Sequence, residues 1–298
     1  MNPRVVLALV YCGAAFGGSF LFMRVAAPEI PAVLVAFGRV TLAAILLAIV
    51  AGPSTFRALA RSWRDYLVLA LFMSGGPFLL FALAERSITA GMGSIINATS
   101  PIWVLLVGAA WAGLRITPRR VLGIVLGFGG VAVIVGTDAL ALAPDAWTGA
   151  LTAIVAASLY GVGLTHIRRR MMAVSPIHLA LGQLAASSIL LAPFAAASLP
   201  AATFAPDAVL AVVGIAIVST AIAWPLLFTI NHTVGPVATS AVTFLNPIFG
   251  VMWGGLFLGE AVSPTLLGGG LLVFASLVLI LDVRIPMGRR APAAGTPG

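Results

Sequence analysis

Long uninterrupted apolar runs constrain this chain more than any other feature. They recur along nearly all of its 298 residues, each about 20 residues long, the length an α-helix needs to cross a ~30 Å hydrocarbon core. Only 8% of the residues are charged, against roughly 25% in a soluble domain. No soluble fold of this size stays dispersed on so few charges.

Loop residues punctuate the runs and place spans at 4–25, 31–51, 66–84, 89–112, 120–137, 147–166, 176–197, 207–228, 236–257 and 265–282. The expected fold class is therefore all-α integral membrane, with ten transmembrane helices. The first run has a competing reading as a signal peptide: Arg4 precedes it, and Val25-Ala26-Ala27 resembles a cleavage site. At nearly 20 residues it exceeds a 7–15-residue signal core, and Arg24 abuts the supposed cut. It reads as a retained first helix.

The net charge is +8. Every basic residue is Arg, and most sit in short tracts between apolar runs. Such placement sets membrane orientation and argues against nucleic-acid binding. With both termini cytoplasmic, Arg4, Arg57, Arg61, Arg64, Arg115, Arg119, Arg120, Arg168, Arg169, Arg170, Arg284, Arg289 and Arg290 face inward. Arg24, Arg39 and Arg86 remain. Outer loops carry Glu29, Glu85, Asp138, Asp145, Asp207 and Glu260. The expectation is a multi-pass protein of a bacterial-type inner membrane. The Pro-, Gly- and Ala-rich tail, 285–298, is expected to be a disordered cytoplasmic segment.

Cys12 is the single cysteine, which excludes an internal disulfide or a cysteine metal site. His166, His178 and His232 share no ligand-like spacing. Neither a metal nor a cofactor is expected.

The two halves resemble each other at a nearly fixed offset. At a shift of 144, Phe16-Gly17 matches Tyr160-Gly161, Arg24 matches Arg168, and Gly38-Arg39 matches Gly182-Gln183. At a shift of 146, Pro101-Ile102 matches Pro247-Ile248, Gly113 matches Gly259, and Thr117-Pro118 matches Ser263-Pro264. This predicts two five-helix repeats, 1–143 and 144–284. An odd helix number per repeat inverts the second in the membrane, the usual scaffold for alternating access with a midplane site. A merely structural duplicated membrane protein is the bland alternative.

Candidate site residues follow from polar groups inside spans. The fourth span carries Gly93, Asn97, Ser100 and Pro101; the ninth carries Thr239, Thr243, Asn246 and Pro247. Spacings of three and four put each set on one helix face, and polar groups avoid lipid. They either line a cavity or glue helices together. Each proline frees the carbonyl four residues earlier, at Asn97 and Thr243. Breaks are also expected at Ser74-Gly75-Gly76-Pro77-Phe78 and at Trp224-Pro225. Phe16, Ser19, Phe78, Trp103, Tyr160 and Trp224 are candidate cavity residues, each with packing as its alternative. Phe249 stands in the same position relative to its proline as Trp103.

Arg39 is the one charge deep in a span, eight residues past Pro31. It either attracts a carboxylate substrate, closes an outer gate with Glu29 or Glu85, or snorkels outward. Its repeat counterpart, Gln183, is uncharged. No Asp or Glu occupies mid-span, so proton coupling is not visible. The glycine-rich fifth and tenth spans read as packing faces, within the chain or between protomers.

These residues resemble the drug/metabolite transporter superfamily, specifically its ten-helix EamA-type exporters. The stretch FGGSFLFMR, the arginine after Gly38, and the pair SPIWVLLVGAAWAGLRIT and NPIFGVMWGGLFLGEAVS are similar to that family's motifs. The resemblance covers most of the chain; members similar to YddG-type amino-acid exporters are the nearest analogy. One departure is that Leu114 stands where the second copy has Glu260. The resemblance implies a central cavity between the halves and export or facilitated passage of amino acids or related metabolites. Drug efflux, metabolite import and lipid flipping are alternatives on the same fold. An intramembrane enzyme lacks converging nucleophile, base or metal ligands. A channel lacks charged rings or filter residues. The expected partners are a small-molecule substrate and the lipid bilayer, with the protein a monomer or weak homodimer.

Overall fold

A computed structural model describes residues 2–52, 54–142, 145–239 and 241–281. Among them every regular element is helical. The helices are α1 Pro3–Ala26, α2 Ala32–Ala51, α3 Ser54–Arg61, α4 Trp63–Phe72, α5 Gly75–Ala84, α6 Ala90–Asn97 and α7 Ser100–Ala112. There follow α8 Pro118–Leu142, α9 Ala146–His166, α10 Pro176–Ser198, α11 Pro206–Ala216, α12 Ala223–Thr239, α13 Ala241–Leu258 and α14 Pro264–Ile280. Their starts carry expected signals. Asn2, Thr89 and Ser263 cap α1, α6 and α14 by accepting from Arg4, Met92 and Leu266 N–H groups. Pro3, Pro176, Pro206 and Pro264 open their helices where a missing N–H costs nothing.

Eight helical stretches, several of them made of two of these helices joined across a short break or a π turn, are at least 18 residues long and apolar enough to cross a membrane. Two further apolar helices, Val242–Leu258 and Pro264–Ile280, are shorter. The ten expected spans map onto these eight and two. At 1.5 Å per residue a 17-residue helix covers about 25 Å, slightly less than the core of a typical bilayer. The molecule's outside is apolar: Ile49, Val50, Ile189 and Leu271 are 74%, 74%, 75% and 71% exposed. Such a surface needs lipid around it.

Several boundaries differ from expectation. The third span is α4 plus α5, broken at Met73–Ser74. The fourth is α6 plus α7, broken at Ala98–Thr99. The loop expected after 228 is helix instead, because α12 continues to Thr239. The arginines after 166 do not start a loop either: one π-helical turn, Ile167–Met171, extends α9. A second π turn, Ile217–Ile222, joins α11 to α12. The short helix α3 falls between expected spans. The tail 285–298, with Arg284, Arg289 and Arg290, lies outside the described residues.

Helices of the two halves exchange partners in equivalent pairs. α1 packs along α13 and α11, while α9 packs along α7 and α5; α2 pairs with α10, and α8 with α14. Glycine sets the closest crossings. A Cβ on Gly17 would fall 2.7 Å from Asn246 O and Gly250 N on α13, and one on Gly161 would fall 2.7 Å from Trp103 O on α7. The repeat-related glycines therefore sit where the first helix of each half crosses the proline-bearing helix of the other. The glycine-rich faces of α8 and α14 meet within the chain: Gly130 lies against Gly269 O, and Gly127 against Ser276.

Gly113 and Gly259, also matched by the repeat, end α7 and α13 with φ of 66° and 65°. That left-handed conformation is free of strain only for glycine. Each closes its helix with a long-range carbonyl bond, Leu114 N to Gly108 O and Glu260 N to Gly254 O.

Candidate functional site

A cavity of about 740 Å³ opens between the halves. Its walls come from α1, α2, α5, α6, α7, α9, α12 and α13. Aromatic rings form much of the lining. Phe16 meets Trp224 edge-on at 5.6 Å, Trp224 meets Phe228 at 5.6 Å, and Phe78 meets Trp224 at 6.1 Å. Towards one end Phe20 meets Phe81 at 5.4 Å, and Phe81 stacks on Tyr160 at 6.4 Å. Towards the other end the lining runs out through Arg168, Met172 and His232, all exposed. The cavity thus has an open mouth and a sealed end.

Arg39 lines this cavity and is only 4% exposed. Its guanidinium carbon lies 3.5 Å from the centre of the Phe78 ring, a cation–π contact. Its Nε donates to Thr220 Oγ1 at 2.9 Å. Thr220 belongs to the π turn, and its hydroxyl donates in turn to Ile215 O at 2.8 Å. The hydroxyl has one proton and two lone pairs, so it serves the helix carbonyl and the arginine together. Among the described residues no carboxylate pairs with Arg39. The expected snorkel and the expected pairing with Glu29 or Glu85 are therefore both replaced by a cationic edge inside the cavity. Glu29 instead engages Thr203.

The paired polar faces reach the same space. Asn97, Ser100, Thr243 and Asn246 all line it. Ser100 donates to Asn97 O, so the carbonyl that Pro101 frees is satisfied one turn away by the same chain. Asn246 Oδ1 has no partner among the described residues. The two proline helices differ: the first breaks ahead of Pro101, whereas α13 runs on through Pro247. At the α4–α5 break, Ser187 of α10 accepts from the Gly75 N–H at 3.1 Å and pairs with the Ser74 hydroxyl at 2.7 Å. Pro77 and Pro225 sit in the first turns of α5 and α12, just beyond these interruptions.

The sealed end is charged. Arg24 Nη1 donates to Glu85 O at 2.7 Å, and its Nε stands 4.0 Å from Glu260 Oε1. Glu260 accepts from the Ala90 and Gly91 N–H groups at 3.0 and 3.4 Å. A carboxylate from the end of α13 thereby caps the N-terminus of α6, where it meets unpaired donors and the positive end of the helix dipole. Glu85 is fully buried, and neither of its carboxylate oxygens has a partner among the described residues. At the opposite end Asp65 binds His166 Nε2 at 2.9 Å and Arg170 Nε at 3.1 Å. Arg169 lies over Trp111.

The sequence pattern of the EamA-like transporter family matches residues 3–136 and, a second time, 147–282. The chain belongs to the EamA-like transporter family. This transporter is 26% identical over 282 residues to the uncharacterized transporter YvbV of Bacillus subtilis, covering 94% of this chain and 92% of the relative. It is 27% identical over 300 residues to a probable terminal-alkyne amino-acid exporter of Streptantibioticus cattleyicolor, covering 99% and 98%. A solved crystal structure with no function in its description shares the fold at TM-score 0.65 and 20% identity, covering 94% of this chain and 96% of that one. The relatives are named as transporters, and this chain is a multi-pass membrane transporter rather than an enzyme.

The transporter's cavity brings together Phe16, Ser19, Phe78, Asn97, Ser100, Tyr160, Trp224, Thr243, Asn246 and Arg39. One expected cavity residue lies elsewhere: Trp103 packs edge-on against Phe128 of α8 at 5.4 Å. Glu85, expected as a gating charge, belongs to the sealed end. Sequence reasoning missed Phe20 and Phe81, which follow Phe16 and Phe78 by four and three residues and so repeat along the same faces. It also missed His232, which sits on a helix where a loop was expected.

Proposed function

We propose that this transporter exports, or passes down a gradient, small amphipathic metabolites that carry a carboxylate, amino acids in particular. Arg39 carries this reading. An arginine held in an apolar cavity without a carboxylate partner is costly unless a ligand or water meets it. A bound carboxylate supplies the missing counter-charge in a charge-assisted hydrogen bond. Asn97, Ser100 and Thr243 line the same space and offer oxygen acceptors to an ammonium group, and the Phe16, Phe78 and Trp224 rings accept an apolar side chain. The name of the Streptantibioticus relative, a probable amino-acid exporter, agrees with that chemistry.

Transport proceeds by alternating access between two inverted five-helix units, 1–143 and 144–284. The equivalent helix pairings and the matched glycines support the duplication. Inversion follows from five spans per unit, with the two 17-residue helices crossing as the ninth and tenth. The open mouth lies among the arginine-rich ends, beside Arg168, Arg169 and Arg170. The positive-inside rule makes that end cytoplasmic, with both termini on that side and the protein in the inner membrane. Because the glycine faces of α8 and α14 are used within the chain, a monomer suffices.

Counterflow in proteoliposomes with a panel of labelled amino acids, with and without a pH gradient, tests this. Amino acids with free carboxylates should exchange, and their amides should not. Equal exchange of acids and amides, or no exchange by any member of the panel, would sink the proposal.

A further inference from the structure

The sealed end holds a carboxyl group that neither packing nor the cavity explains. Glu85 follows α5 by one residue and is 0% exposed. Neither Oε1 nor Oε2 has a hydrogen-bond partner among the described residues. The charged groups acting on it are Glu260 and Arg24. Arg24 spends its Nη1 on the Glu85 main-chain carbonyl and turns its Nε to Glu260. Glu260 is further satisfied by the α6 N-terminus. One cation and one helix terminus thus bond to Glu260, while the Glu85 carboxyl bonds to neither and feels Arg24 only as a lesser, opposing influence beside burial and Glu260. Other elements around it offer no counter-charge. α6 has no titratable side chain. On α9, Asp145 is exposed at the start, Tyr160 lies in the cavity and His166 at the opposite end; on α2 Arg39 lies in the cavity. Arg86 is exposed.

A carboxylate buried without a donor among the described residues and with a second carboxylate beside it is strongly disfavoured; the neutral acid is much less so. A Cβ on Gly93 would collide with Glu85 Oε1, so glycine is needed there simply to seat the carboxyl group.

We propose that Glu85 is a proton-binding site that locks this end of the transporter. In the sealed state it holds a proton. When α6 parts from α13 and water enters, the O–H bond breaks, the proton passes to water and the carboxylate remains. Resealing requires the proton to return. Each opening of this end therefore releases one proton to that side. Acid pH favours the sealed form, and alkaline pH the open one. The site stands apart from the substrate cavity and needs no particular cargo.

The test uses the full chain in proteoliposomes, with Cys12→Ala removing the native thiol and Ser94→Cys as reporter. Ser94 is fully buried and meets Gly250 across the α6–α13 contact. Maleimide labelling, taken throughout relative to the rate of the same cysteine in unfolded protein at the same pH so that thiolate formation cancels, should quicken as pH rises. With one linked proton, the sealed-to-open ratio falls about tenfold per pH unit above the open-state pKa. Adding Glu85→Gln, a neutral mimic of the acid, should leave labelling slow at every pH. A rate that ignores pH in the Glu85 protein overturns the proposal, as does a slope that Glu85→Gln retains. Infrared spectroscopy gives a second readout independent of the reporter: the sealed protein should show a carboxylic-acid C=O band that Glu85→Gln removes. Persistence of the full band overturns the assignment.

Discussion

The two halves share a scaffold but not a chemistry. In both, an aromatic–glycine pair on the first helix (Phe16-Gly17, Tyr160-Gly161) puts a ring in the cavity and a glycine against the other half's proline helix. In both, a left-handed glycine closes the fourth or ninth span. Beyond those closing glycines the halves part. Leu114 folds back over Gly108, whereas Glu260 lays its carboxylate beside Gly254 and goes on to cap α6. Arg39 faces the cavity, but its counterpart Gln183 is buried outside it, both amide atoms without a partner among the described residues. Arg24 bonds at the sealed end, while Arg168 stands exposed at the mouth. The close backbone contacts are alike in the two halves, and the charged positions are not.

Substitutions that treat matched positions alike test how far this symmetry extends. The largest effect should come from Gly17→Val and Gly161→Val. Each new side chain meets backbone that cannot rotate away, and overpacking of this kind costs about 1–3 kcal/mol or more. Both should lose most monodisperse protein in detergent, whereas Gly268→Ala, which meets nothing within 4 Å, should not. A tolerated valine at one site alone would show the two crossings to be unequal. Next, Arg39→Leu should lower transport of carboxylate-bearing substrates about 10- to 100-fold, the value of roughly 1.5–3 kcal/mol for a hydrogen bond to a charged group. Neutral analogues should lose less, and Gln183→Leu should transport normally; equal losses across substrates would make Arg39 structural. Glu260→Leu, which copies the first half, should cost about 0.5–2 kcal/mol as a lost helix cap. Its signature is faster labelling of Ser94→Cys at fixed pH, and an unchanged rate would deny Glu260 a part in sealing. Smallest of all, Trp103→Phe should leave transport within about twofold, since its buried N–H has no partner among the described residues to lose.

Periodicity and length made the helices legible, because lipid admits few alternatives for an apolar run of this size. Gly17 and Gly161 stood out in the sequence only as a matched pair; that they sit at helix crossings emerges from the contacts. The breaks were legible only as places: Pro77 and Pro101 announce an interruption, but a helix that continues through Pro247 carries the same residue. Whether a freed carbonyl finds a partner depends on neighbours such as Ser100. Arg39 was recognisable as a functional charge, but not its destination, since the Thr220 bond spans 181 positions in the chain. Glu85 looked like a loop residue at a helix end. Only packing by Gly93 and the diversion of Arg24 to Glu260 reveal it as buried and alone.

The wide turn at Ile217–Ile222 sets the angular position of everything after it. A π turn holds about one residue more than an α-helical turn would need, and each residue of an α-helix advances by about 100°. Excising one residue as the segment tightens into ordinary α-helix would keep the downstream face, whereas tightening with every residue retained would swing that face by roughly a quarter revolution. Trp224 and Phe228 would leave the lumen, and Thr220 would lose its alignment with Arg39. The extra residue acts as a phase shifter, tuning which side chains the pathway sees without changing one of them.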